Sequence, residues 1–142
     1  MMIYTFSRDA VEAGVDVGEP YAVVSISTPR LTPATLPRDS LRRDLLRLVL
    51  HDSTPGQGMI CLYTVEDARR VAALVRVSLG VSLVVHCDMG ISRSQGMANA
   101  IADHLDTEVR HSTPGMPNPH VYRLTWEALR RAPSWVRAPR CS

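Results

Sequence analysis

The stretch Val84-Val85-His86-Cys87-Asp88-Met89-Gly90-Ile91-Ser92-Arg93-Ser94 decides both the fold and the chemistry of this chain. The run from Val81 to Val85 is apolar at nearly every position, which predicts a strand buried on both faces. Past residue 93, Met97, Ala98, Ile101, Ala102 and Leu105 recur at helical spacing. A strand that turns through Gly90 into a helix points successive backbone N–H groups into one concavity, beside the positive end of the helix dipole. Such a concavity suits a phosphate. The same field favours Cys87 as a thiolate, and Arg93 offers a planar fork of donors for two phosphate oxygens.

The flanking sequence supplies the scaffold. Ile3 to Phe6 and Tyr21 to Ser27 read as strands, the second bounded by Pro20 and Pro29. Residues 28–40 carry Pro29, Pro33 and Pro37 and read as a loop. Leu45 to Leu50 reads as another strand, ending at His51-Asp52. The loop over 52–63, with Pro55, Gly56 and Gly58, is long enough to suggest a functional role. Thr64-Val65-Glu66-Asp67 opens a helix in the manner of a capping box. Val65, Ala68, Val71, Ala72, Val75 and Leu79 give that helix its apolar face, and Gly80 is its expected stop. A connector from Pro114 to Pro119 leads to a last helix near 120–131, and an irregular tail is expected from about 132. Strands alternating with helices predict one α/β domain over 1–142, with a central, mainly parallel four-stranded sheet and helices on both faces. Ligands in such folds bind beyond the carboxyl ends of the strands, where Asp52 and Cys87 both fall.

Composition excludes several function classes. The 142 residues suffice for one core, and 45% apolar with 21% charged residues is a globular composition. No apolar run is long enough to span a bilayer and no signal-peptide pattern opens the chain, so the expectation is a cytoplasmic protein with no membrane partner. A net charge of +2 gives no electrostatic case for nucleic acid as the main partner. All sixteen basic residues are Arg, and Arg42-Arg43, Arg69-Arg70 and Arg130-Arg131 read as solvated helix surface. Cys61, Cys87 and Cys141 cannot all pair and show no close CxxC spacing, which predicts neither a disulfide framework nor a structural zinc site. Cys61, beside Met59, Ile60 and Leu62, reads as a buried small hydrophobe, and Cys141 as part of a frayed tail.

His86-Cys87 followed by Gly90, Ser92-Arg93 and Ser94 resembles the HCxxGxxR(S/T) signature of the protein tyrosine phosphatase superfamily, closest to its dual-specificity branch and the compact bacterial phosphatases similar to it. Pro117-Asn118-Pro119-His120-Val121 also resembles the Pro-Asn-x-Gly-Phe segment opening the last helix of that branch, with His120-Val121 in place of Gly-Phe. The resemblance implies a cysteine-dependent phosphatase acting on phosphomonoesters. Phosphotyrosine on proteins is the leading substrate, with phosphoserine, phosphothreonine and small phosphate esters also admitted. It implies Cys87 as nucleophile, and Arg93 with the backbone N–H groups of Asp88, Met89, Gly90, Ile91 and Ser92 as phosphate ligands. It further implies Ser94 as the hydroxyl that stabilises the departing thiolate, and His86 as the residue that orients the loop. The family's general acid is an Asp on a mobile loop after the strand that precedes the long helix, a place that Asp52 occupies. Asp39 and Asp44 precede that strand, Glu66 and Asp67 belong to a helix start, and Asp88 would point away from phosphate or repel it. No cofactor and no metal are needed by this mechanism.

Two rival readings share the Cys87 loop. A rhodanese-like sulfurtransferase or an arsenate reductase also places a reactive Cys in a cradle, and a reductase would need Cys61 or Cys141 brought near Cys87. A phosphate-binding module without turnover would have no need of the nucleophile. His86, Ser94 and Asp52 favour the phosphatase.

Overall fold

Five strands, rather than four, make the sheet, and all of them run parallel. The computed structural model describes residues 1–56 and 61–131. In chain order the elements are β1 (Ile3–Phe6), α1 (Arg8–Ala13), β2 (Tyr21–Ser27), β3 (Arg42–Val49), α2 (Val65–Val77), β4 (Ser82–His86), α3 (Arg93–Leu105), β5 (Val109–His111) and α4 (Pro119–Arg130). The sheet order is β3-β2-β4-β1-β5, so the strand leading to Cys87 lies at the centre. β5 escaped prediction because Val109-Arg110-His111 has no apolar run; it exists by pairing with the edge of β1. The six-residue α1, capped by the Ser7 side chain on the Ala10 N–H, was also unexpected.

The sheet is covered unequally. Ile3, Ala22, Val24, Ile26, Leu48, Leu83 and Val85 pack on α2, α3 and α4 to form the main core. On the other face Tyr21, Val23 and Val84 meet Val11 of α1 and Ala34 of the 28–41 segment. β4 is buried at every position, as its apolar run predicts. β3 forms an edge, begins at Arg42 and leaves Leu45 and Val49 largely exposed. Arg42-Arg43 therefore belongs to a strand and not, as expected, to a helix surface.

The capping box at α2 is formed: Thr64 Oγ1 accepts from the Asp67 N–H, and Asp67 Oδ2 accepts from the Thr64 N–H, both at 3.1 Å. The helix stops earlier than expected, at Ser78, which leaves Gly80 to the turn into β4. α4 starts with Pro119 behind Asn118, whose side chain accepts from the N–H groups of His120 and Val121. No helix among the described residues is long and apolar enough to cross a membrane. The expected irregular tail from about 132, Cys141 included, lies outside the described residues, as does Gly58.

Candidate active site

Because every strand is parallel, the residues following β2, β3 and β4 gather at one end of the sheet. Thr28, Leu50 with Asp52, and Cys87 are therefore neighbours although far apart in sequence. Cys87 is 2% exposed, and its Sγ lies 3.2 Å from the Ser94 Oγ on the first turn of α3. Gly90 makes the turn between them possible. Its φ is +74°, and a Cβ there would lie 2.7 Å from backbone atoms of Phe6 and Ser7. Only glycine fits at that approach. The Arg8 N–H donates to the Asp88 carbonyl at 3.0 Å, tying the cradle to the start of α1.

Arg93 is folded into the site and 5% exposed. Its Nη1 donates to the Leu50 carbonyl at 2.7 Å and to Thr28 Oγ1 at 3.0 Å, and its Nη2 to Asp88 Oδ2 at 3.2 Å. Thr28 Oγ1 donates to the same Asp88 oxygen. Burial works against the charge on Asp88, but the Thr28 hydroxyl and the Arg93 guanidinium together hold its carboxyl below the usual carboxylate range. The Asp88 carboxylate sits on the guanidinium. Arg93 Nε, by contrast, is buried with no hydrogen-bond partner among the described residues. A buried guanidinium N–H without a partner is a donor whose desolvation is left uncompensated.

Asp52 reaches the cradle from the β3 side. Its Oδ1 accepts from Ser92 Oγ at 2.7 Å and from Asn118 Nδ2 at 3.0 Å. Asn118 Nδ2 also donates to the Ser53 carbonyl, so one amide holds the Asp52 loop and caps α4. Among the described residues Asp52 Oδ2 accepts no hydrogen bond. The base of the loop is closed by His51, whose N–H donates to the Cys61 carbonyl at 2.7 Å. The Cys61 N–H donates back to His51 Nδ1 at 3.3 Å, so His51 has a structural task. Cys61 is only half-buried, not the buried hydrophobe expected. Asp39 lies at the opposite end of the sheet, accepting from the Tyr21 hydroxyl at 2.6 Å.

His86 ends β4 and is 1% exposed. Burial pushes its imidazole down to about 4, so the ring is neutral in the folded protein near neutral pH. Its Nε2 lies 2.6 Å from Ser25 Oγ and its Nδ1 3.4 Å from the Cys87 carbonyl. Met89 stands 67% exposed on the cradle, an apolar side chain at its lip. The structure therefore brings together Cys87, Arg93, Ser94, His86 and Asp52. It adds Thr28, Ser25 and Gln95, which no motif or spacing singles out. Gln95 Nε2 donates to the carbonyls of Gly90 and Thr113 and braces the turn. Asn118 was visible in the Pro-Asn-Pro segment, though not as a partner of Asp52.

Among the described residues no group of three or more His, Cys, Asp and Glu side chains gathers in a way that could hold a metal ion. Comparison with family models, curated proteins and solved structures found no match to this chain.

Proposed function

We propose that this chain is a cysteine-dependent phosphatase of phosphomonoesters. The observation that carries the reading is the Cys87 thiol set against the Ser94 hydroxyl at the start of the helix that Arg93 opens, with Arg93 buried and its Nε without a hydrogen-bond partner among the described residues. In the first step the Cys87 thiolate attacks phosphorus, the bond from phosphorus to the leaving oxygen breaks, and Asp52 gives that oxygen a proton. In the second step water attacks the phosphocysteine, the sulfur–phosphorus bond breaks, and Asp52 takes a proton from the water. Ser94 then donates its hydroxyl proton in a hydrogen bond to the released thiolate. Arg93 and the cradle amides hold the oxygens whose charge is redistributed in both transition states.

The lip favours aryl phosphates on proteins, phosphotyrosine first. Exposed Met89 offers apolar contact to a ring, and the Asp88 carboxylate on Arg93 disfavours substrates carrying several phosphates. A nucleophilic free thiol suits a reducing compartment such as the cytoplasm.

The purified chain is expected to hydrolyse a small aryl phosphate without added metal, and Cys87→Ser to abolish this. Absence of turnover in the wild type, or turnover that survives Cys87→Ser, would defeat the proposal. Asp52→Asn is expected to slow aryl phosphate turnover by roughly 10²-fold or more. An unchanged pH–rate profile would remove Asp52 as the acid.

A further inference from the structure

On the α1 side of the sheet lies a cavity of about 170 Å³. Its floor is buried and apolar: Val11 of α1, Val23 of β2 and Val84 of β4, with half-buried Val15 and Leu36 beside them. Its mouth opens between exposed Gly14 and Pro37, with Arg38, Asp39 and Arg42 around it. The cavity is left because the cover on this face is thin. Six-residue α1 and two irregular segments, 14–20 and 28–41, stand where long helices pack the other face. Tyr21 and Arg42 open β2 and β3, whereas Cys87 follows the end of β4. The mouth and the cradle therefore face opposite ends of the sheet, and the two sites share no residue.

Charge at the mouth is unequal. Asp39 is the only carboxylate in the lining among the described residues, and both its oxygens are engaged. Its Oδ2 accepts from the Tyr21 hydroxyl at 2.6 Å and its Oδ1 from the Leu41 N–H at 2.9 Å. Arg42 is tethered by Nη1 alone, donating to the Pro37 carbonyl at 2.9 Å. Arg38 makes no hydrogen bond among the described residues, and neither arginine forms an ion pair there. Two guanidinium forks thus border the mouth with no carboxylate on them, and such forks suit a planar carboxylate. Two arginines against one aspartate leave a single net positive charge, which a monoanion balances and a phosphate dianion exceeds.

The floor sets the rest of the ligand. A dry cavity of about 150 Å³ is enough for one benzene ring, and an ion taken down to an apolar floor would lose its hydration without return. We propose that this cavity binds a small aryl carboxylate, with its ring against Val11, Val23 and Val84 and its carboxylate on Arg38 and Arg42. The site is independent of the chemistry assigned to Cys87.

The test is an NMR titration of the full chain with benzoate at low ionic strength, beside acetate, which lacks the ring, and benzyl alcohol, which lacks the charge. Benzoate is expected to saturate with a Kd below about 1 mM and to move the methyl signals of Val11, Val23 and Val84. Acetate and benzyl alcohol are each expected to bind at least roughly 10-fold more weakly. Arg38 is exposed, so Arg38→Gln leaves the fold intact; it is expected to weaken benzoate by roughly 3–10-fold and leave benzyl alcohol unchanged. Val15→Phe, which fills the cavity, is expected to abolish binding of both. Absence of saturation below about 10 mM overturns the proposal, whether or not any variant folds. Shifts confined to the amides of residues 88–93 would put the anion in the Cys87 loop and also overturn it, as would unchanged benzoate affinity in Arg38→Gln. No readout requires turnover, so failure of the phosphatase reading leaves every result interpretable.

Discussion

Gly96→Ala should harm this protein, although the same change in most helices helps. Alanine in a helix interior is favoured over glycine by about 1 kcal/mol. Gly96, however, lies on α3 where α4 begins, and a Cβ there would stand 2.5 Å from the Asn118 carbonyl oxygen and 3.2 Å from its nitrogen. Both obstacles are backbone atoms, so no rotamer change relieves them. Overpacking of this kind costs about 1–3 kcal/mol. Displacing Asn118 also weakens the cap of α4, worth about 1 kcal/mol. Set against the propensity gain, the net loss is about 1–3 kcal/mol, or a fall in Tm of roughly 4–10 °C by thermal denaturation. Asn118 also holds Asp52, so the shift propagates into the site. A displacement near 1 Å there is expected to lower kcat for an aryl phosphate by roughly 10²-fold. A variant as stable as the wild type would refute the steric reasoning, and a destabilised variant with unchanged kcat would refute the coupling to Asp52.

Three further outcomes are expected. Asp88→Asn removes the carboxylate from Arg93 and should tighten competitive inhibition by inorganic phosphate by roughly 3–10-fold; weaker inhibition would show that Asp88 assists binding. Ser94→Ala should slow the second step more than the first, so that rapid mixing shows a burst of aryl alcohol. Stability should also depend on pH. His86 stays neutral when folded down to about 4 whereas the unfolded chain takes the proton near 6.5, so stability is full above about pH 6.5 and declines as the pH falls toward 4. That gap is worth about 3 kcal/mol. Partly buried His111, its imidazole also pushed down by desolvation, adds a contribution of the same sign. Urea denaturation between pH 7 and 4 checks this, and an equal slope in His86→Gln would remove His86 as its source.

What could be read from sequence was whatever is local. The run into Cys87, the turn at Gly90 and the apolar face of α3 are contiguous, so their periods and their glycine are visible without the fold. The capping box of α2 is likewise four adjacent residues. β5 had no such pattern, since three residues with a charged centre become a strand only when β1 lies alongside. The triad of Thr28, Asp88 and Arg93 joins residues 60 and 65 positions apart, and nothing near Thr28 announces it. Asp52 could be placed after a strand, but the donors that hold it, Ser92 and Asn118, are set by how α3 meets α4.

The seam between the cradle and the 113–118 connector bears on how the site opens. The Met116 and Asn118 N–H groups donate to the carbonyls of Ile91 and Ser92 at 2.9 and 3.0 Å, and Gln95 spans from Gly90 to Thr113. A turn bonded in this way is not a loop that can fray alone. To release those amides to solvent, the connector and the start of α4 must lift together. In hydrogen exchange, Met116 and Asn118 should therefore share one opening free energy with the first turn of α4, close to that of global unfolding. The loop around Cys87 would then owe its rigidity to a helix that contributes no residue to that loop.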